Sequence, residues 1–400
     1  PHLCEYCGPL PVNHTQNYID TILTLGISSR FPPLPKLRNF IEKYFVKILE
    51  VLRIVKFVRN YENSEVSLRT TVFIDEAVKS GIEFEALKGP YGYLNQFRMT
   101  CSGHSMLFEG LPYSAPISRI AGTIDDKISV KNTLGLSGLP VAQGKSFWAF
   151  PGLSSLMKRK AITYGTSLGF PLIVKPRNGS MSQHITANIR TEEELERGIE
   201  IALMYSPAFI IEKFLPDMRM YRMTVIGREK VFAVERIPAH IVGDGTRSIG
   251  VLVREKNDDP ARGVPKQKDT TLYRLIIDKT SEALLRAKGY TLQTIPKKNE
   301  VVFLQEKVIL DLGADLYEVT GEMHPDNIQL AQDVSRMFES DIAGIDFLAK
   351  DISVSWKSQQ CAILEINSLP YIDMHHFPTY GKPQNISKAL VELVKARFVQ

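Results

Sequence analysis

The stretch GFPLIVKPRNGSMSQHI, Gly169 to Ile185, decides how the rest of the chain is read. An apolar run with β-branched residues, Phe170 to Val174, delivers Lys175 and Pro176 into a short loop rich in Gly and Ser. A second strand-like run, Ile185 to Ile189, leads out again, which makes a β-hairpin with a cationic shoulder. Gly179 has access to backbone angles closed to other residues. The hydroxyls of Ser180 and Ser182 and the amide N–H groups of such a loop can converge on phosphate oxygens while Lys175 balances their charge. An ordinary hairpin with a solvated lysine has the same local pattern, so the rest of the chain has to decide between them.

Four hundred residues, 44% of them hydrophobic, are ample for buried cores and suggest two or three compact units. Forty-nine basic against 44 acidic residues leave a charge of +5, too small and too evenly spread to indicate nucleic acid, though it suits an anionic substrate. The four cysteines, Cys4, Cys7, Cys101 and Cys361, form no disulfide framework and fit a reducing cytoplasm. No signal peptide is visible. The longest apolar region, Phe40 to Val58, is interrupted by six charged side chains and does not make a membrane span. Cys4 and Cys7 have the spacing of half a zinc site, but a second cysteine pair is missing, so two reduced thiols are the alternative reading.

Lys36 to Asn60 has helical spacing of Phe40, Tyr44, Ile48, Val51, Val55 and Val58, with a basic opposite face. Short β and α segments follow: a strand-like TTVFI at Thr70 to Ile74, a helix-like run from Asp75, and a strand from Ile82. DDKISVKNTLGLSGLPV, Asp125 to Val141, reads as an N-capped helix ending at Gly138. Thr191 and Glu194 have capping-box spacing at the start of another helix. AFIIEKFL at Ala208 to Leu215 is a strand stopped by Pro216, and Glu255 to Asp269 reads as a flexible polar loop. The tail carries a helix from His324 and two strands, AGIDFLAKDI and CAILEINSLP.

Asp346 is expected at the end of one of these apolar strands, while Glu365 and Asn367 alternate along the other and share a face. Three oxygen donors so placed suit a hard cation such as Mg²⁺, which keeps positions for water or phosphate oxygens. Glu365 in the otherwise apolar AILEI supports this, because an unpaired buried charge is costly.

From about Gly110 onward the chain resembles an ATP-grasp ligase. The carrying segments are DDK at Asp125 to Lys127, VKP at Val174 to Pro176, IIEKFL at Ile210 to Leu215, then AGID and ILEIN. Within that superfamily, PAHIVGDGTRSI, NDDPARG, YEVTGEMHPDN and ILEINSLPYIDMHHFPTYG are most similar to the amide ligase module of cyanophycin synthetase and of bifunctional glutathione synthetases. The resemblance implies an α/β (α+β) ATP-grasp fold with two α+β subdomains clamping ATP. With the N-terminal extension and its long amphipathic helix read at 1–62 and the small α/β unit read at 63–124, it implies a central subdomain at 125–206 and a C-terminal subdomain with the metal site at 207–400.

By the same resemblance Lys127, Lys175, Gly179, Ser180 and Ser182 would hold ATP phosphates, and Glu212, Lys213 and Leu215 would form the hinge around adenine. Asp346, Glu365 and Asn367 would bind Mg²⁺, with Asp351 a weaker candidate. Arg236 and Arg262 would hold the acyl phosphate or the substrate carboxylate. Met220 stands where relatives place a ribose-binding acid, with Asp217 nearest to replace it. By this resemblance a stretch Gln305 to Asp315 would replace an Asn-, Ser- and Gly-rich segment of the relatives, and no Mur-ligase-like second module is expected. The expected activity is amide or peptide bond formation from a small-molecule carboxylate and amine, driven by ATP and Mg²⁺ through an acyl phosphate in the cytoplasm. No nucleic acid or membrane partner is expected, and a homo-oligomer is compatible with the sequence. A phosphotransferase on the same fold and a nucleotide-binding pseudoenzyme are the alternatives. Asn257 to Asp269, with Arg262, is expected to act as a mobile lid.

Overall fold

A computed structural model describes residues 14, 18, 47–59, 65–113, 124, 126–149, 154–177, 183–265 and 267–398. The amino-terminal unit is a sheet of four antiparallel strands in sequence order, β1 (Lys56–Val58), β2 (Glu83–Gly89), β3 (Gly92–Cys101) and β4 (His104–Glu109), with helix α1 (Leu68–Lys79) between β1 and β2. Two expectations change here. Thr70 to Ile74 is not a strand: Thr70, Phe73, Ile74 and Ala77 repeat at helical spacing and are buried, so one helix takes the whole run despite its β-branched residues. The expected helix over 36–60 is helical only at 47–51 within the described residues; 36–46 lie outside them. Arg53 adopts φ 58°, which no helix continues through, and Lys56–Val58 then pairs with Ala86–Lys88. Cys4 and Cys7 also lie outside the described residues.

The middle unit contains α2 (Lys127–Leu136), β5 (Gly144–Trp148), α3 (Ser154–Leu168), β6 (Leu172–Pro176), β7 (Thr186–Ile189), α4 (Glu192–Leu203) and β8 (Ala208–Lys213), with strand order β5-β8-β6-β7. Helix α4 starts where its cap demands. The Thr191 hydroxyl accepts from the Glu194 amide at 3.1 Å, and the Glu194 carboxylate accepts from the Arg190 amide at 2.7 Å. Its buried Leu195 and Ile199 pack on Leu172 and Val174, each contributing about 1.5–3 kcal/mol of apolar burial.

The carboxy-terminal unit begins with β9 (Arg219–Ile226) and β10 (Lys230–Ile237). A small lobe then inserts: β11 (His240–Val242), α5 (Ile249–Asn257), β12 (Arg262–Gly263), β13 (Leu272–Tyr273), α6 (Lys279–Ala287) and β14 (Val301–Phe303), with its own core of Ile241, Ile249, Leu285 and Val302. The main sheet is completed by β15 (Asp315–Glu318), α7 (Pro325–Met337), β16 (Ile342–Ala349) and β17 (Cys361–Asn367), in the order β15-β10-β9-β16-β17. Helices α8 (Asp373–His376) and α9 (Ile386–Phe398) follow, and Leu390 and Val394 of α9 close over Phe73 and Ile74 of α1.

Strand periodicity assigns the faces of this sheet. Tyr221, Met223, Val225 and Phe347 are buried against Leu330 and Val334 of α7. Met220, Arg222, Gly344, Asp346 and Leu348 must then point to the opposite face, towards the middle unit.

Candidate functional site

That opposite face is the floor of a cleft of about 800 Å³, whose roof is the β6–β7 hairpin and the inner edge of β8. Lys127, Lys175, Glu212, Lys213, Leu215, Asp217, Met220, Arg236, Asp346 and Glu365 all line it. Gly179, Ser180 and Ser182 lie outside the described residues.

The roof is organised around Glu212, the last but one residue of the buried β8. Its carboxylate takes the ammonium of Lys175 at 3.0 Å and that of Lys131 in a second close ion pair, and all three side chains are almost fully buried. Burial alone would raise the Glu212 carboxyl; Lys175 and Lys131 more than reverse this and hold it below its ordinary value. Burial pushes the Lys131 ammonium down to about 8, assisted by repulsion from Lys175 and opposed by Glu212. Lys131 carries no motif and is absent from the sequence-based site. Its signal was available, because it lies four residues after Lys127 on α2 and shares that helix face. The Glu212 side chain is thus committed to two lysines, while Lys213 turns its ammonium back to the carbonyls of Gly169 and Phe170, 2.8 and 3.3 Å away.

On the floor, Arg222 Nε and Arg236 Nη2 donate to the two oxygens of Asp346 at 2.5 and 2.6 Å. Burial would raise this carboxyl, but the two guanidiniums bring it down to about 2, so it is anionic at any working pH. Arg222 reaches Asp346 because they are direct cross-strand partners and because residue 344 has no side chain. A Cβ there would meet Arg222 Nη1 at 3.0 Å and Pro370 Cβ at 2.7 Å. Arg222 was also missed in the sequence, where only strand alternation with Met220 marks it. Glu365 faces Asp346 directly across the β16–β17 ladder and pairs with Lys127 at 3.4 Å. The register slips between Asp346 and Phe347, leaving Leu364 as an extra residue, so that Leu364 and Glu365 both line the cleft. Asn367 donates weakly to the Gly344 carbonyl, 3.4 Å away.

Asp346, Glu365 and Asn367 fit a hard divalent cation by their chemistry. Opposed residues of an antiparallel pair have Cβ atoms about 4.5–5.5 Å apart, which suits two carboxylates sharing one ion. Each Asp346 oxygen accepts one guanidinium bond and retains a lone pair. Asp351 is turned away, its carboxylate bonding the amide and hydroxyl of Ser353, and it does not line the cleft.

Arg262 is not brought to the cleft either. Its guanidinium is buried against Asp315, in a close ion pair, and donates to the Tyr273 carbonyl at 2.8 Å. Asp315 also holds Lys256, and its Oδ1 accepts from the Thr379 hydroxyl at 3.3 Å. The segment expected as a loose lid is tied down here: Asn257 exchanges side-chain bonds of 3.0 and 2.7 Å with the Leu275 backbone, and β12 pairs in parallel with β13. Turn-forming composition suggests looseness, whereas the anchors are distant residues.

The family model described as D-ala D-ala ligase C-terminus matches residues 137–244. The chain is 35% identical over 269 residues to cyanophycin synthetase of Trichormus variabilis, covering 67% of this chain and 29% of that protein. It is 26% identical over 356 residues to the glutathione biosynthesis bifunctional protein of Clostridium perfringens, covering 86% of this chain and 44% of the other. The crystal structure of a bifunctional glutathione synthetase from Pasteurella multocida superposes with a TM-score of 0.63 at 23% identity, over 84% of this chain and 44% of that one. The chain therefore spans less than half the length of each of these relatives. Among the described residues no helix is long and apolar enough to cross a membrane.

Proposed function

We propose that this chain, which has the ATP-grasp fold and is related in sequence to the ATP-grasp ligases, joins a small carboxylate to an amine at the expense of ATP, most naturally on an amino acid or short peptide. One observation carries the reading: a single cleft has Lys175 on its roof, held with the buried Lys131 on one carboxylate, above an acidic floor whose two carboxylates face each other across a ladder. Polyphosphate suits the first and a divalent cation the second.

In the proposed reaction Lys127 and Lys175 hold nucleotide phosphates, Lys131 adds its charge from behind Glu212, and the backbone of Lys213 to Leu215 borders the base. Leu348 and Leu364 supply an apolar floor beneath it. Mg²⁺, bound by Asp346, Glu365 and Asn367, would neutralise charge on the transferring phosphoryl group. An oxygen of the substrate carboxylate attacks the terminal phosphorus, the bond to ADP breaks, and an acyl phosphate forms. The amine then attacks the acyl carbon, phosphate leaves with the bonding pair, and the amine gives up a proton. Arg236, which lines the cleft with its guanidinium fixed on Asp346, is placed to orient the acyl phosphate. Dependence on ATP implies a cytoplasmic setting.

A phosphate-release screen of amino acid and dipeptide pairs with MgATP tests this. Phosphate appearing in step with amide and only when an amine is present supports it. AMP and pyrophosphate as products would overturn it, and phosphate transfer without an amine would favour a phosphotransferase.

A further inference from the structure

Lys307 follows β14 in the stretch that leaves the inserted lobe, and it lines the cleft beside Gln183 and Ile185. Its ammonium donates to the Ile185 carbonyl at 2.8 Å, across 122 residues of sequence. Ile185 opens the outgoing arm of the hairpin, three residues past the Gly- and Ser-rich loop. The bond therefore ties one wall of the cleft to the other next to that loop.

The charge of Lys307 is treated differently from its neighbours'. Lys127, Lys131 and Lys175 each have a carboxylate within ion-pair distance. Among the described residues Lys307 forms no ion pair, and the adjoining loop, NGSMS at 178–182, contains no acid. Its half-buried ammonium spends one of three N–H donors on a neutral carbonyl. Burial draws the group's pKa down, against the pull of the neighbouring Glu306. A cation partly removed from water without a counter-charge costs free energy that an anionic ligand returns.

We infer that Lys307 is a phosphate-binding residue of the cleft, holding the hairpin through Ile185 and turning its remaining donors to the terminal phosphate of a bound nucleotide. The inference rests on the nucleotide reading of the cleft and adds to it a residue from the stretch that leaves the inserted lobe. It also gives that stretch a role in sensing whether the nucleotide is charged or spent.

The test is calorimetric titration of the full chain, unmodified and as Lys307→Met and Lys307→Arg, with MgATP, MgADP and adenosine. Lys307→Met should weaken MgATP binding about tenfold or more, MgADP less, and adenosine less than about twofold, with Lys307→Arg recovering most of the loss. Adenosine binding doubles as the check that the variant is folded; should Lys307→Met not fold, Lys307→Gln is read on the same three ligands. Equal losses for all three ligands would make the Ile185 bond a structural clasp only and overturn the inference. Unchanged MgATP affinity would overturn it while leaving the nucleotide reading intact. An unmodified chain that binds none of the ligands would overturn both.

Discussion

Asp346 and Asp315 are both buried aspartates that hold two cations each, yet only the first opens on the cleft. Asp346 joins Arg222 and Arg236 and faces Glu365, while Asp315 joins Arg262 and Lys256 where the inserted lobe meets β15, with no exposure at all. Composition does not separate them. Access does: one cluster keeps lone pairs directed at a space that a ligand can enter, and the other spends its charge on docking a lobe.

The largest expected effect tests the sealed cluster. Asp315→Asn leaves two cations without their acid and should cost about 3–5 kcal/mol of stability, read as a fall in melting temperature, while activity per folded molecule stays within severalfold. A variant that is stable but inactive would make the two clusters functional equals. Next is the open cluster. Glu365→Gln should lower turnover about 10²- to 10³-fold with the melting temperature nearly unchanged, since its carboxylate is about a third exposed. Near-normal turnover would remove it from the metal site.

A smaller effect concerns pH and contrasts roof with floor. Lys131 titrates at about 8, below its ordinary 10.5, whereas Asp346 stays ionised. Protonated Lys131 attracts phosphate, so MgATP affinity should fall as pH rises through 8, and Lys131→Arg should flatten that profile. Stability moves the opposite way for this group. Between 8 and 10.5 the unfolded chain binds more protons than the folded one, so the Lys131 contribution to stability improves as pH rises. A flat affinity profile in the unmodified chain would take Lys131 out of the phosphate site. The smallest effect is Asp351→Ala, expected to change turnover less than about twofold because its carboxylate serves Ser353.

Much of this was legible because local chemistry and tertiary structure agree. The hairpin around Lys175 and the capped helix at Thr191 follow from periodicity and motif alone, whereas the register that sets Asp346, inside its strand and not at its end, opposite Glu365 does not. The rest depended on partners that no local pattern names. Arg262 sits in a turn-rich run, and its acid is 53 residues away on β15. Thr70 to Ile74 has strand-like residue types, but its helical repeat is buried beneath α9, and burial outweighs the weak propensity. Lys131 and Arg222 were readable only as second positions, one turn of helix or one pleat from residues already chosen.

The extra residue at Leu364 has a consequence for how such a cleft is built. Removing it would leave Ile363 opposite Phe347 and Glu365 opposite Asp346, in an unbroken ladder with every charge on its present side. A ladder that closes up around a lost residue is one into which that residue can be inserted. The apolar platform of Leu364 and the carboxylate pair are therefore structurally separable: the pair keeps its facing register with or without this part of the floor.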